Sequence, residues 1–271
     1  MRGSSRAAAI ESSKAFEAAL GAGADRRTLG EELLAVVGVI DGSATLRRAL
    51  ADPSRDAEAK RDLVSRVLGG KVSQPTTDLL RTVVGQRWAT ERDLSDSVEE
   101  LGIESLLSQA EADGEIDRVE DELFRFERIV AGNPELRDRL TNRQGDAQAK
   151  AGVISQLLEG RSSGTTVRLA RQAVLAPRGR KLDRTLEGYL ALASRRREQV
   201  TAVVTAATEL TPQQRERLSA ALHSIYGKSI VLQVVLDPQV LGGIRVQVGD
   251  EVVDGTVLRR LDEARRHVAG G

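Results

Sequence analysis

The side chains best equipped for chemistry are the acidic ones between positions 111 and 122. This stretch holds seven carboxylates, and two carboxylates at the right separation can act as the acid and the base of a glycosidase. Carboxylates also stabilise the N-terminal end of a helix, where the helix dipole is positive. The second interpretation needs no substrate and is favoured here, so no catalytic residue is predicted.

Two glycine pairs could in principle contact a phosphate group. Gly69-Gly70-Lys71 has the ending of a P-loop, but Ser65 occupies the position of the first P-loop glycine. Gly242 and Gly243 belong to neither a GxxxxGK[ST] nor a GxGxxG pattern. We therefore predict that the first pair ends a helix and that Gly242 and Gly243 form a structural turn where backbone segments pass close together. No cofactor is expected.

The composition argues against several other kinds of site. The 271 residues include no cysteine and two histidines, His223 and His267, so a thiol nucleophile, a disulfide and a zinc knuckle are excluded and no metal site is predicted. We expect His223 to be solvated and His267 to lie near a helix C-terminus. Forty basic residues balance forty acidic ones, whereas binding to nucleic acid or anionic lipid by charge normally needs a basic excess. We predict no nucleic-acid partner and no direct lipid binding.

Helices must position these residues. Hydrophobic residues, mostly Ala, Leu and Val, make up 40% of the chain and charged residues 30%, a mixture typical of amphipathic helices. No run approaches the roughly 18 to 20 uncharged residues of a membrane span, and Glu11 and Lys14 interrupt the apolar start. We expect a soluble cytoplasmic chain of about two domains.

An internal duplication organises the first two thirds of the chain. At an offset of 90 residues, positions 46–85 align with positions 136–175 without a gap, and 15 of the 40 pairs are identical. Upstream, four apolar positions at helical spacing also match. These pairs are Leu29 with Val119, Leu33 with Leu123, Val36 with Phe126, and Ile40 with Val130. We call residues 25–85 repeat 1 and residues 115–175 repeat 2.

Each repeat is predicted to run helix, short turn, helix, turn, helix. The breaks expected in repeat 1 are Asp41-Gly42, Asp52-Pro53 and Gly69-Gly70, because Gly and Pro stop helices. A leading helix, about residues 6–20 or 94–110, completes two small helical bundles. Trp88 follows the last helix of repeat 1 and is expected to fill the core or contact the other repeat, with a partner hot spot as the alternative.

Residues 178–197 carry seven basic side chains and two acidic ones. Such a run is typical of a solvated helix face. A docking surface for an acidic segment of a partner is the alternative.

The pattern changes after residue 197. Residues 199–208 are rich in β-branched side chains and predict a strand. Thr211, Pro212 and Gln214 have the spacing of a capping box at the start of a helix. The apolar face of that helix is predicted to hold Leu218, Ala221, Leu222 and Ile225.

Two more strands and a hairpin follow this helix. Residues 229–240 are apolar on both faces, as in a strand covered on both sides, and residues 244–248 alternate as in a strand with one wet face. Gly249-Asp250 is the expected hairpin turn, leading to a return strand at 251–253. A last helix is predicted from about Thr256. Together these elements form a small α/β module.

Residues 230–255, IVLQVVLDPQVLGGIRVQVGDEVVDG, resemble the delta subunit of bacterial F-type ATP synthase, a relative of the mitochondrial oligomycin sensitivity conferral protein. The shared features are an aliphatic strand, an acid before a short turn, a Gly-Gly-aliphatic core, and a strand and hairpin before Asp-Gly. Residues 197–222 and the order of bundle and module are also similar to the family, and the resemblance covers roughly residues 111–271. Ordinary members have one bundle, so this chain resembles a long form with a duplicated N-terminal bundle.

The resemblance implies a non-catalytic stator subunit in the peripheral stalk. In the family, the helical bundle grips the N-terminal tails of the alpha subunits and the C-terminal module holds the C-terminal end of the b subunit. The chain would resist rotor torque during proton-driven ATP synthesis, at the cytoplasmic face of the cell membrane and attached through its partners. A helical-repeat adaptor of another complex is the alternative function.

The sequence thus predicts a mainly α, α+β protein. Two tandem all-helical bundles, residues 1–108 and 109–198, precede a small α/β module at residues 199–271. Either bundle could bind the alpha subunits. Candidate partner-interface residues, chosen from helical periodicity and the family's binding mode, are Phe16, Leu20, Leu79 and Val83, and a core role is equally open for each.

Overall fold

The computed structural model describes residues 3–142, 144–226, 228–238, 240, 242–248 and 251–254. The chain divides into two compact units. The helical unit comprises residues 1–19 and 24–197, and the C-terminal unit comprises residues 20–23 and 198–271. The mainly α, α+β class predicted from the sequence is confirmed.

Eleven helices precede the first strand in the described chain. The first six are α1 (Gly3–Gly21), α2 (Arg26–Gly42), α3 (Ala44–Ala51), α4 (Ala57–Leu68), α5 (Gln74–Gly85) and α6 (Glu91–Ala112). The next five are α7 (Ile116–Gly132), α8 (Pro134–Thr141), α9 (Ala147–Leu158), α10 (Gly164–Leu175) and α11 (Leu182–Glu198). Helices α7 to α10 begin and end 90 residues after α2 to α5, so the duplication is confirmed at the level of whole elements.

Each repeat contains four helices, and the prediction of three was wrong. The additional element is the short helix α3 or α8, which lies between the first two predicted breaks. Side-chain caps begin these short helices, because Ser43 accepts a hydrogen bond from the N–H of Leu46 and Asn133 accepts one from the N–H of Leu136. A cap immediately after a helix end allows a new helix within one residue, which a search for long periodic segments does not detect.

Helix α6 belongs to both bundles. It packs against α2, α3 and α5 on one side and against α7 and α10 on the other, and it is buried around its circumference. The approach to α2 is close, since a Cβ atom on Gly30 would lie 2.9 Å from Leu106 and one on Gly102 would lie 3.0 Å from Leu34. The predicted domain boundary between residues 108 and 109 therefore falls inside a continuous, shared helix.

The C-terminal unit contains a four-stranded mixed sheet and one described helix. Its elements are β1 (Gln199–Ala206), α12 (Pro212–Tyr226), β2 (Ser229–Leu236), β3 (Ile244–Val248) and β4 (Glu251–Asp254). The strand order is β2-β1-β3-β4, with β1 and β2 parallel and the other pairs antiparallel. The predicted capping box begins α12, because the N–H of Thr211 donates to Gln214 Oε1 at 2.8 Å and the N–H of Gln214 donates to Thr211 Oγ1 at 3.3 Å.

The apolar core of this unit lies between α12 and one face of the sheet. Ala202, Val204, Val246 and Val248 of the sheet cluster with Leu222 of the helix. Ile225 was predicted on the buried face but is 71% exposed, because the buried stripe runs through Leu218, Leu222 and Tyr226 instead. Val235 and Leu236 of β2 are also exposed, so the prediction of a strand covered on both faces was wrong there. The predicted Gly249-Asp250 turn and the last helix from Thr256 lie outside the described residues.

Candidate interaction surfaces

The acidic stretch at 111–122 lies at the end of α6 and the start of α7. Five of its seven carboxylates form ion pairs with nearby arginines at distances of 2.7 to 3.2 Å. The pairs are Glu111 with Arg196, Glu115 and Glu122 with Arg118, Glu120 with Arg197, and Asp121 with Arg125. Several of the acids flank the first turns of α7, as the helix-dipole interpretation predicts. This arrangement favours a structural role for the stretch.

One carboxylate of this stretch also anchors the start of α10. Glu122 accepts hydrogen bonds from the N–H of Ser163 at 2.8 Å and from the hydroxyl of Thr166 at 2.7 Å. Burial opposes ionisation of Glu122, but these hydrogen bonds and Arg118 outweigh it and hold the pKa of the carboxyl below its ordinary value. Repeat 1 has the same device, in which Glu32 accepts from Ser73 and Thr76.

The glycine pairs lie at turns. Gly70 and its repeat partner Gly160 have φ values of 72° and 75° directly after α4 and α9, a backbone conformation that glycine adopts at helix ends. Gly242 and Gly243, with φ values of 70° and 78°, lie just before β3 and are exposed. These positions allow the chain to turn sharply.

The four candidate partner-interface residues lie in the interior. Phe16, Leu20, Leu79 and Val83 are at most 3% exposed. In this conformation they offer no surface to a partner, and the core role left open for each is the one the geometry favours. Helical periodicity identifies the face that is buried, but the burying element can be the rest of the bundle as readily as another protein.

Trp88 and His223 occupy the positions expected of them. Trp88 is 2% exposed and fills the core of the first bundle, where its indole N–H donates to the carbonyl oxygen of Val83 at 2.9 Å. His223 is exposed, and its Nδ1 lies 2.7 Å from the carbonyl oxygen of Lys228. His267 lies outside the described residues. Within those residues, no group of three or more potential ligands could hold a metal ion.

A buried ionic cluster joins the two repeats, and the sequence analysis did not identify it. Arg178, whose side chain is 7% exposed, contacts Asp41 of α2 and Glu99 of α6. Its Nη1 lies 2.6 Å from Glu99 and its Nη2 donates to Ser95 at 2.6 Å. Glu99 is itself 2% exposed and also binds Arg180. Nothing in the sequence distinguishes Glu99 from its neighbour Glu100, which also lies between Val98 and Leu101.

A second ionic cluster surrounds the basic end of α11. Arg196 pairs with Glu111 at 2.7 Å and with Glu17 of α1 at 3.6 Å. Beside it, burial and the nearby Glu100 raise the pKa of Glu104 to about 7 although Arg196 and Arg195 oppose the shift. Residues 178–197 were interpreted as a solvated helix face or as a docking surface for an acidic segment. The geometry favours neither interpretation, because several of these arginines form ion pairs within the helical unit.

Large exposed apolar side chains mark the surfaces still open to a partner. In the helical unit these are Ile10, Val39, Phe124, Ile129 and Leu175, each at least 41% exposed. No described helix combines the length and the apolar character that crossing a membrane requires. The five exposed apolar side chains of the helical unit are candidates for contact with other proteins.

Comparison with known proteins identifies the family. The family model described as ATP synthase delta (OSCP) subunit matches residues 104–268, which begins in α6 and leaves repeat 1 outside. Curated relatives match repeat 1 as well. A protein named ATP synthase subunit delta from Beutenbergia cavernae is 44% identical over 271 residues and aligns over the whole of both chains.

Two further relatives carry the same name. The protein from Kineococcus radiotolerans is 46% identical over 248 residues, which are 92% of this chain and 90% of the relative. That from Streptomyces avermitilis is 47% identical over 241 residues, 89% of this chain and 88% of the relative. The identity extends through both repeats and the C-terminal unit, and the chain belongs to the ATP synthase delta (OSCP) subunit family.

Proposed function

We propose that the chain is a non-catalytic stator subunit in the peripheral stalk of an F-type ATP synthase. It would link the N-terminal tails of the alpha subunits in the catalytic head to the C-terminal end of the b subunit, and resist rotor torque during proton-driven ATP synthesis. Attachment to the cytoplasmic face of the cell membrane would come through these partners, since the chain has no net charge to hold it on anionic lipid.

The observation that supports the proposal is that helix α6 and the ionic clusters of Arg178 and Arg196 connect the helices of the helical unit. A part that transmits torque must not bend between its attachment points. The central helix α6 packs against helices of both repeats, and Leu34 of repeat 1 joins the core cluster of repeat 2. Arg178 connects three acidic side chains from α2 and α6. Buried, hydrogen-bonded charge pairs are sensitive to geometry, so they favour one arrangement of the repeats.

The proposal is tested with the full chain and two synthetic peptides, one from the N-terminus of an alpha subunit and one from the C-terminus of a b subunit. We expect both to bind at the same time, with dissociation constants below about 50 µM, and we expect the isolated chain not to hydrolyse ATP. Binding of neither peptide in this range would contradict the stator role. Steady hydrolysis that a single acidic substitution abolishes would instead indicate an enzyme.

The same protein provides a test of mechanics. Synthase lacking this subunit is recombined with the wild-type chain or with Arg178→Ala, and proton-driven synthesis is compared with uncoupled ATP hydrolysis. A stiff strut predicts that the substitution lowers synthesis more than hydrolysis, because only synthesis depends on holding the head against the rotor. Equal reductions would indicate failed assembly.

A further inference from the structure

A carboxylate closes the turn that follows α9 in repeat 2. Glu159, the residue directly after α9, accepts hydrogen bonds from Arg171 of α10 at 3.0 Å and from the hydroxyl of Ser155 at 2.7 Å. Both donors bind the same oxygen, Glu159 Oε1, and Arg171 also donates to Ser155. An arginine of α10 and a serine of α9 therefore form a binding site for one carboxylate.

Repeat 1 keeps the arginine and the serine but lacks the carboxylate. Arg81 and Ser65 are their counterparts at the offset of 90 residues, and Arg81 Nη1 donates to Ser65 Oγ at 2.6 Å. The residue at the position of the glutamate is Gly69. Arg81 is half-buried, and in the described part of the chain no acidic side chain forms an ion pair with it. The same two side chains are thus present without their anion.

A cavity of about 390 Å³ opens beside this arginine and serine. Its lining includes Ser65, Gly69 and Arg81, with Val72 as an apolar wall. Gly69 has a φ of −52° and a ψ of 128°, and Glu159 has −64° and 135°, so the backbone at this turn is alike in the two repeats and the glycine leaves the place of the side chain open. The volume lies within the range of small-molecule pockets, about 300 to 1,000 Å³.

An acidic side chain also lines the cavity and limits what can enter it. Asp78 precedes Arg81 by one turn of α5 and accepts a hydrogen bond from Gln74 at 2.9 Å. Its carboxylate is therefore held by a neighbour on its own helix. Because like charges repel, Asp78 disfavours a ligand that brings a second negative charge into the cavity.

We propose that the cavity after α4 binds a small organic acid with one carboxylate, held by Ser65 and Arg81 as Glu159 is held in repeat 2. The ligand is assigned as a carboxylate because repeat 2 shows which group this arginine and serine bind. The inference is independent of the proposed stator role, since its ligand is a free acid and not another subunit.

The two side chains have the hydrogen-bonding capacity that the ligand needs. A guanidinium has five N–H donors, of which Ser65 engages one of Arg81, and two others can bind a carboxylate through parallel hydrogen bonds. The Ser65 hydroxyl now donates to the carbonyl oxygen of Arg61 at 3.1 Å. Rotation of this hydroxyl redirects it to the ligand, as Ser155 donates to Glu159. A partly exposed arginine–carboxylate pair contributes little by itself, so the affinity for the smallest acids should be in the millimolar range.

NMR of the arginine side chains in the full-length chain tests the proposal. The Nε–Hε signals of Arg81 and Arg171 are assigned from their loss in Arg81→Gln and Arg171→Gln. The probe is propionate, which is the side chain of glutamate as a free molecule, and propionamide is its uncharged control. Sodium chloride keeps the ionic strength constant during the titration, so that the screening of surface charges does not change.

We expect propionate to shift the Arg81 signal along a saturable curve with a dissociation constant below about 100 mM, and propionamide to leave it in place. The Arg171 signal should not respond, because Glu159 already occupies its site. An Arg81 shift that does not saturate, or equal responses of the two arginines, would overturn the proposal. Tighter binding of inorganic phosphate than of propionate would indicate a general anion site and would also overturn it.

Glu159→Ala adds a test in which binding is gained and not lost. The substitution removes a side chain that is 56% exposed and leaves the arginine and the serine of repeat 2 without their carboxylate. The Arg171 signal should then respond to propionate, with an affinity within about threefold of that at Arg81. Absence of this response would show that the arginine and the serine do not suffice to bind a free carboxylate and would contradict the proposal.

Discussion

Repeats 1 and 2 share a skeleton and differ in what surrounds it. Both have the same four helices and the same helix cap at Asp56 or Asp146. In both, a glutamate of the first helix, Glu32 or Glu122, accepts hydrogen bonds from the start of the last helix. The position three residues after that last helix separates them. After repeat 1 this position is Trp88, which is buried and donates a hydrogen bond to Val83. After repeat 2 it is Arg178, which reaches Asp41 of repeat 1.

The comparison shows how a duplicated bundle becomes a single unit. The residues that form the core of each repeat are similar in the two copies. The residues at the contacts of α2 and α7 with the neighbouring helices differ in type. Gly30 of α2 allows close contact with α6, but its equivalent in α7 is Glu120, which pairs with Arg197 of α11. At these positions α6 covers the face of α2, whereas Phe124 on the equivalent face of α7 is exposed. Substitutions at equivalent positions can test this difference directly.

The largest effect is expected for Arg178→Ala. The substitution leaves Glu99 buried with Arg180 as its remaining pair and removes the partner of Asp41. Breaking a buried charge pair by removing one member costs about 3 to 5 kcal/mol, to be measured by denaturant unfolding of the full chain. Arg184→Ala is the control, because Arg184 is 75% exposed and its pair with Glu187 is a surface pair worth at most about 1 kcal/mol. A loss below about 1 kcal/mol for Arg178→Ala would show that the cluster does not join the repeats.

Glu32→Ala and Glu122→Ala test whether the two repeats are equivalent where they look alike. Each removes the acceptor for a serine N–H and a threonine hydroxyl at a helix start. We expect losses of about 1 to 3 kcal/mol in the free energy of unfolding, similar in both variants. Markedly different losses would mean that repeat 1 and repeat 2 differ in their skeleton as well as in their surroundings.

The pH dependence of the Glu122 contribution has a defined sign. The pKa of Glu122 is lowered in the folded chain, so its stabilisation is present above the unfolded pKa and is lost as the pH falls below about 4.5. The difference in stability between the wild type and Glu122→Ala should therefore shrink on acidification. A difference that grows instead would contradict the hydrogen-bonded carboxylate.

Glu104 in the shared helix should show the opposite pH dependence. Its pKa is raised to about 7, so between pH 4.5 and 7 the folded chain holds a proton that the unfolded chain has lost. Stability then falls as the pH rises through this window and changes little above it. We expect about 1 to 2 kcal/mol, less than the full shift would give because the side chain is 23% exposed and Arg195 lies 3.8 Å away.

Unfolding of Glu104→Gln between pH 4 and 8 measures this contribution. The variant should lose the decline with rising pH, whereas Glu135→Gln, at an exposed carboxylate of α8, should retain it. An unchanged profile for Glu104→Gln would assign the pH dependence to other groups. Those that face Glu104 are Glu17, Glu100, Arg195 and Arg196.

Local signals in the sequence predicted most of the elements, because their causes are local. Glycine stops, the capping box at Thr211 and the period-2 alternation of residues 244–248 act within a few residues. The short helices α3 and α8 were missed because a serine or asparagine cap restarts the helix almost at once. The class of the fold followed from these elements, and the offset of 90 residues placed the two bundles.

The candidate surfaces could be predicted far less well, since they depend on contacts distant in sequence. Arg178 and Glu99 are 79 positions apart, and no spacing rule joins them. Phe16 and Val83 were proposed as interface residues from periodicity, which cannot distinguish a core contact from a partner contact. The exposure of Phe124 is evident only from the structure, because Leu34 holds the same place in repeat 1 and is buried.

The smallest predicted effects concern the turns after α4 and α9. Gly70→Ala and Gly160→Ala each place a Cβ atom on a residue with φ near 70° to 75°, where no neighbouring atom obstructs it. The cost is then purely that of the left-handed backbone, about 1 kcal/mol. Because a Cβ atom at either position would meet no atom within 4 Å, thermal or denaturant unfolding should give the same loss for both. A larger loss in one repeat would show that the junction between the repeats extends beyond α6 and the arginine clusters to the turn itself.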